Sequence, residues 1–164
     1  MSDATAASFV CRKHRGEITM PGGAIFEDDL VYVSHGQMKP DAFAYPGVLF
    51  IEPKRHVPSM ADLVRAESER IGWLASVVSR ALLNEGAERN YLDVFGHHVD
   101  HLHLWIVPRY PGTPSNLVGV AVMDWRAYVR AFPGMSSVKR LPNKPLKLPA
   151  ASFSRAGGCG RHAA

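Results

Sequence analysis

Asp100-His101-Leu102-His103-Leu104-Trp105-Ile106-Val107-Pro108 alternates aliphatic residues with histidines and one aromatic at a period of two. A strand sends successive side chains to opposite faces, so Leu102, Leu104 and Ile106 are expected on one face and His101, His103 and Trp105 on the other. Two imidazoles in line beside a large aromatic suit a strand whose polar face has a use. A half-exposed strand with incidental histidines is the plain alternative. The neighbourhood favours use: Gly96-His97-His98 precedes the pair, and Pro53-Lys54-Arg55-His56 adds a histidine upstream.

Working outward, Tyr91-Leu92-Asp93-Val94-Phe95 reads as the strand that enters the histidine stretch through a tight connection at 96–98. Val48-Leu49-Phe50-Ile51 is an almost unbroken apolar run, as in a strand covered on both faces, and Pro53 ends it. After the turn marked by Pro21-Gly22-Gly23, Ala24-Ile25-Phe26 and Leu30-Val31-Tyr32-Val33 flank Asp28-Asp29 as a hairpin. A loop with Pro40 and Pro46 spans 34–46. Ser59, with Asp62 three residues on, is the expected start of a long helix. From there to Glu85, Ile71, Leu74, Val78, Ala81 and Leu82 keep a one-sided helical rhythm, and Gly86 terminates it. Glu67, Glu69 and Arg70 read as its solvated face. The pattern predicts an α+β fold, an antiparallel sheet backed by one long helix.

The rest of the chain divides by composition. Residues 1–8 are small and polar, and disorder is expected there. The main domain is expected over 8–113. An extension over 114–134 holds a last short helix, capped by Asp124, with Trp125, Tyr128, Val129 and Phe132 on one face and Pro133-Gly134 at its end. Residues 135–164 are basic and rich in Pro and Gly, expected to be a disordered, flexible tail. Of the 19 basic residues, six lie beyond Pro133 with no acid among them: Lys139, Arg140, Lys144, Lys147, Arg155 and Arg161. Without them the body has 13 basic against 15 acidic residues, so the formal charge of +4 belongs to the tail and no specific nucleic-acid partner is expected. No stretch approaches the roughly 20 apolar residues that span a bilayer. The opening Met1-Ser2-Asp3-Ala4-Thr5 has no secretory pattern. Cys11 and Cys159 are too few and too far apart for a disulfide framework, so the cytoplasm is the expected compartment.

His101-Leu102-His103-Leu104-Trp105-Ile106-Val107-Pro108-Arg109 resembles the signature of the histidine triad superfamily. Gly47-Val48-Leu49-Phe50-Ile51-Glu52-Pro53-Lys54-Arg55-His56-Val57, followed by Met60-Ala61-Asp62-Leu63, resembles that family's other landmark. Gly16-Glu17-Ile18 and Phe26-Glu27-Asp28-Asp29 resemble its opening segment, so the match runs in order over roughly residues 8 to 111. The family's third histidine is Trp105 here, a His-x-His-x-Trp variant. The loop after Val33 is longer than usual and lacks the acid or amide that often holds a ribose, a part left to Ser34 or His35. The resemblance implies a histidine-triad-like fold with about five strands and a C-terminal helix. It also implies a homodimer, no membrane, and a nucleotide or dinucleotide as substrate.

It further implies a chemistry. A neutral imidazole is a nucleophile near pH 7, and attack on phosphorus gives a covalent nucleotidyl-histidine that divides one hard displacement into two easier ones. His103 fills the nucleophile position. Its other ring nitrogen must be held by an acceptor, which a nearby backbone carbonyl can supply. His101 and His97 complete the expected catalytic set. Where relatives have a Gln and a Ser or Thr, this chain has His97 and His98; either can donate to phosphoryl oxygens, and a protonated His97 can assist the leaving group. Trp105 has one indole donor and no transferable proton, so it can contact phosphate or serve as a pocket wall but cannot act as an acid.

Some branches of the family hold a structural zinc, and the matching set here is Cys11, His14, His56 and His101. One thiolate and three imidazoles suit a closed tetrahedral site. The alternative leaves Cys11 a small buried residue and His14 an exposed one. No cofactor is required for the chemistry itself. Three functions stand at this stage: a phosphoramidase, dinucleoside polyphosphate hydrolase or nucleotidyl transferase; a catalytically silent nucleotide-binding or interaction module; and a metal-dependent hydrolase, against which the site lacks an obvious carboxylate base beyond Asp93 and Asp100.

Overall fold

The computed structural model of the protein describes residues 8–20, 22–36, 47–96, 99–119 and 121. A short helix α1 (Phe9–His14) leads into the hairpin β1 (Ala24–Glu27) and β2 (Val31–His35). The Asp28 carboxylate accepts from the Leu30 and Val31 N–H groups at 2.9 Å each, an Asx turn that explains why the chain reverses there. β3 (Leu49–Pro53) is buried along its whole length, as its apolar run predicts. Gly47 just before it has φ +78°, and a Cβ there would come within 2.7 Å of the Tyr110 hydroxyl and 2.9 Å of Pro108. Only glycine lets β3 start so close to its neighbour.

The long helix α2 (Arg65–Asn84) is followed by β4 (Arg89–Asp93) and β5 (Leu104–Arg109). The five strands form one antiparallel sheet in the order β1-β2-β3-β5-β4. Ile71, Leu74, Ala75, Val78 and Leu82 of α2 pack on Val31, Val33, Leu49, Ile51, Leu104 and Ile106, which makes this face the main core. The other face carries Tyr32, Ser34, Phe50, Glu52 and Trp105, brought side by side by the register Tyr32↔Glu52, Ser34↔Phe50 and Phe50↔Trp105. α1 lies against this second face, with Lys13 reaching Ser34 and Glu52.

Three expectations need correction. The long helix begins at Arg65: Ser59 does accept from the Ala61 N–H, but it caps only a 3-10 turn (Met60–Asp62), after which Leu63 and Val64 are extended. Glu67 is buried, accepting from the Val64 N–H at 3.0 Å and from Arg55 at 2.9 and 2.7 Å, so it caps α2 rather than facing water. Arg70 reaches Asp28 at 2.6 Å and lies over the Phe26 and Trp73 rings, tying α2 to the hairpin. β5 opens at Leu104, so His101 and His103 precede the regular ladder. The helix expected after Asp124 and the basic tail lie outside the described residues. Among those described, no helix is long and apolar enough to cross a membrane.

Candidate functional site

On the second face of the sheet, α1 and β3 wall an open cleft lined by residues that include Lys13, Met20, Phe50, Glu52, His103 and Trp105. His103 is half-buried in it. Its Nδ1–H donates to the His101 carbonyl at 2.7 Å, which leaves Nε2 with its lone pair. Phe50 stands edge-on to Trp105 at 4.5 Å and to His103 at 5.9 Å between ring centroids, so the imidazole is held among aromatics. Trp105 follows on the same side, and its indole Nε1 is buried with no hydrogen-bond partner among the described residues. A buried, unused donor beside a free imidazole nitrogen suits an oxyanion.

His101 differs from His103 in environment. It is 1% exposed, and its Nε2–H donates to the Pro53 carbonyl at 2.8 Å. Burial pushes its pKa down to about 4, against the pull of that carbonyl, so the ring is neutral at pH 7 with a lone pair on Nδ1. That Nδ1 lies 3.4 Å from Cys11 Sγ, and His56 Nδ1 lies at the same distance from it. The ligand atoms of Cys11, His56 and His101 are within 4.8 Å of one another. Of the four residues expected to hold a metal, three therefore converge. His14 falls outside that group: its Nε2 meets Glu52 Oε2 at 3.0 Å, and its ring lies 5.4 Å edge-on from His101. It is not exposed, as the metal-free alternative had it. Its Nδ1 is buried without a partner among the described residues.

Two functional candidates were passed over in the sequence. Lys13 is 3% exposed, and its ammonium contacts Glu52 Oε1 at 2.8 Å, Oε2 at 2.6 Å and Ser34 Oγ at 3.3 Å. Burial alone would raise the Glu52 carboxyl, but the His14 hydrogen bond and the Lys13 charge hold it below the ordinary carboxylate value. The available signal was an acid inside an otherwise apolar strand, Phe50-Ile51-Glu52-Pro53.

The remaining candidates are placed as follows. Ser34 is fully buried, and its hydroxyl belongs to the Lys13 cluster instead of the cleft wall. His35, half-buried at the end of β2, is paired in register with Leu49 and does not line the cleft; burial lowers its pKa. Asp93 and Asp100 do not line it either. His97 and His98 lie outside the described residues.

No protein-family model matches the sequence, and no curated protein does. Solved structures do. A zinc-bound histidine triad family protein from Mycobacterium smegmatis superposes with a TM-score of 0.56 at 18% identity, covering 82% of this chain and 99% of that one. A Hit-like protein involved in cell-cycle regulation from Bartonella henselae gives 0.55 at 21% identity, over 76% of this chain and 94% of its own. A HIT family protein from Bacillus anthracis gives 0.55 at 16%, over 79% and 97%. The chain thus has the histidine triad fold, as an antiparallel five-stranded sheet with one helix behind it.

Proposed function

We propose that the protein is a nucleotide hydrolase or nucleotidyl transferase of the histidine triad type, acting on phosphoanhydride or phosphoramidate bonds. The observation that carries this is the 2.7 Å bond from His103 Nδ1–H to the His101 carbonyl, which leaves Nε2 free in an open cleft. In the first step Nε2 attacks the nucleotide's α-phosphorus; the N–P bond forms as the bond to the leaving group breaks, and the electron pair departs with that group. His97 is the proposed donor of its proton, with His98 and the Trp105 indole N–H as contacts to the phosphoryl oxygens. Water, or an acceptor nucleophile in a transferase, then takes the nucleotidyl group and frees His103.

The test is incubation with adenosine phosphoramidate and diadenosine polyphosphates, with and without His103→Ala, and mass spectrometry of the quenched protein. Wild type should turn over and show a nucleotidyl adduct on His103; equal turnover by the variant defeats the proposal. Trp105 in place of a third histidine favours a second reading, a silent nucleotide-binding module. It predicts a nucleotide-dependent rise in Tm with no adduct.

We infer a structural zinc held by Cys11, His14, His56 and His101. The donor set fits: a thiol and two imidazole nitrogens already converge, and His14 Nδ1 is buried without a partner among the described residues. Through these residues a bound metal would tie α1 to the segment after β3 and to the start of the histidine stretch. We also propose a homodimer and a cytoplasmic location, the latter on cysteine usage.

A further inference from the structure

Glu52 has no part in the chemistry above, yet it is 1% exposed and paired with Lys13 in a strand where an aliphatic residue would pack as well. Lys13 neutralises it, but a buried Lys–Glu pair replaced by apolar residues of similar volume is often no less stable. Stability alone does not account for the pair.

The third contact of Glu52 does. A carboxylate only accepts, so the 3.0 Å contact puts the proton on His14 Nε2 and leaves the Nδ1 lone pair free. That nitrogen is buried and has no partner among the described residues, on a side chain 6% exposed. His14 follows Cys11 by three residues on α1, hence on the same helical face. The next residue along the strand repeats the device: the Pro53 carbonyl takes the His101 Nε2–H, leaving His101 Nδ1 beside Cys11. Consecutive residues of β3 hold two imidazoles in one tautomer. Lys13 meanwhile occupies both Glu52 oxygens, at 2.8 and 2.6 Å, which keeps the carboxylate an acceptor for His14.

We propose that Glu52 is a positioning residue of the metal centre, fixing His14 as its fourth ligand through Nδ1, with Lys13 anchoring Glu52. This rests on the zinc inference above. Carboxylates that orient a metal-bound histidine typically contribute 10–100-fold to metal affinity.

The test uses the full chain, stripped by chelator and titrated with cobalt and zinc. Cobalt is followed by its d–d and thiolate charge-transfer bands, and zinc by competition with a chromophoric chelator. Lys13→Met/Glu52→Leu removes the acceptor while leaving no buried charge. Lys13→Met/Glu52→Gln keeps a neutral acceptor. The leucine variant should stay folded with zinc affinity about 10–100-fold weaker, and the glutamine variant should recover most of that loss. His14→Ala should alter the cobalt spectrum. Wild-type affinity in a folded leucine variant overturns the role of Glu52, as does equal weakening of both double variants. If the wild-type chain takes up neither metal, the zinc inference itself falls, and this one with it.

Discussion

Two of the three residues in the His-x-His-x-Trp series carry opposite burdens, although one pattern announced them. His103 faces a cleft with one nitrogen free, whereas His101 is sealed beside Cys11. Alternation revealed that these residues share a side but not which of them meets a ligand, because depth depends on what covers the strand. Trp105 is the residue where side-chain chemistry decides function. Trp105→Phe preserves the aromatic wall and deletes the indole N–H; a hydrogen bond to a charged oxygen contributes about 1.5–3 kcal/mol. We expect kcat/KM for a nucleotide phosphoramidate to fall about 10–100-fold, with the fold intact by circular dichroism. Unchanged kcat/KM would make Trp105 a wall only. Lys13 stayed hidden because one basic residue in Cys-Arg-Lys-His reads like any other; its burial follows from α1 lying on the sheet, a tertiary fact.

At the level of elements, the sheet was legible and the start of α2 was not. Period-two and apolar runs mark strands because a strand's two faces differ in cover, and β3 was identified as covered on both. Ser59 looked like the helix cap since its hydroxyl does accept a backbone N–H, but the helix proper is capped by Glu67, whose carboxylate is held by Arg55 and the Val64 N–H. The Arg55 hydrogen bond, reinforced by that N–H and opposed by burial, keeps the Glu67 carboxyl below its ordinary value. A carboxyl depressed in the folded state adds stability above its unfolded pKa, and that stability is lost as pH falls through the folded value. Glu67→Gln should therefore lower Tm at neutral pH by an amount equivalent to about 1 kcal/mol, since Arg55 is half exposed and screened. Thermal melts in acid should show the gap between wild type and variant closing below about pH 4. A gap constant through that range would separate the cap from its charge.

For the whole molecule, β4 is an edge of the sheet, with Leu92 49% exposed on it and Val94 43% exposed just after. Among the described residues no strand pairs with its outer side, and an edge with apolar side chains invites pairing. In the proposed homodimer this edge is a natural seam, and Leu92→Lys is expected to shift the mass measured by light scattering from two chains to one. A wild type already monomeric removes that assembly. Composition located the surplus basic charge after Pro133 but was silent on this edge, because Tyr91-Leu92-Asp93-Val94 alternates equally well inside a sheet or at its rim.

His101 answers to two neighbours through different atoms, its ring to Cys11 and its main-chain oxygen to His103. Truncating that ring therefore separates duties that a motif treats as one. His101→Ala should abolish tight zinc uptake while the carbonyl survives to hold the nucleophile, so labelling of His103 by nucleotide ought to persist in any variant that remains folded.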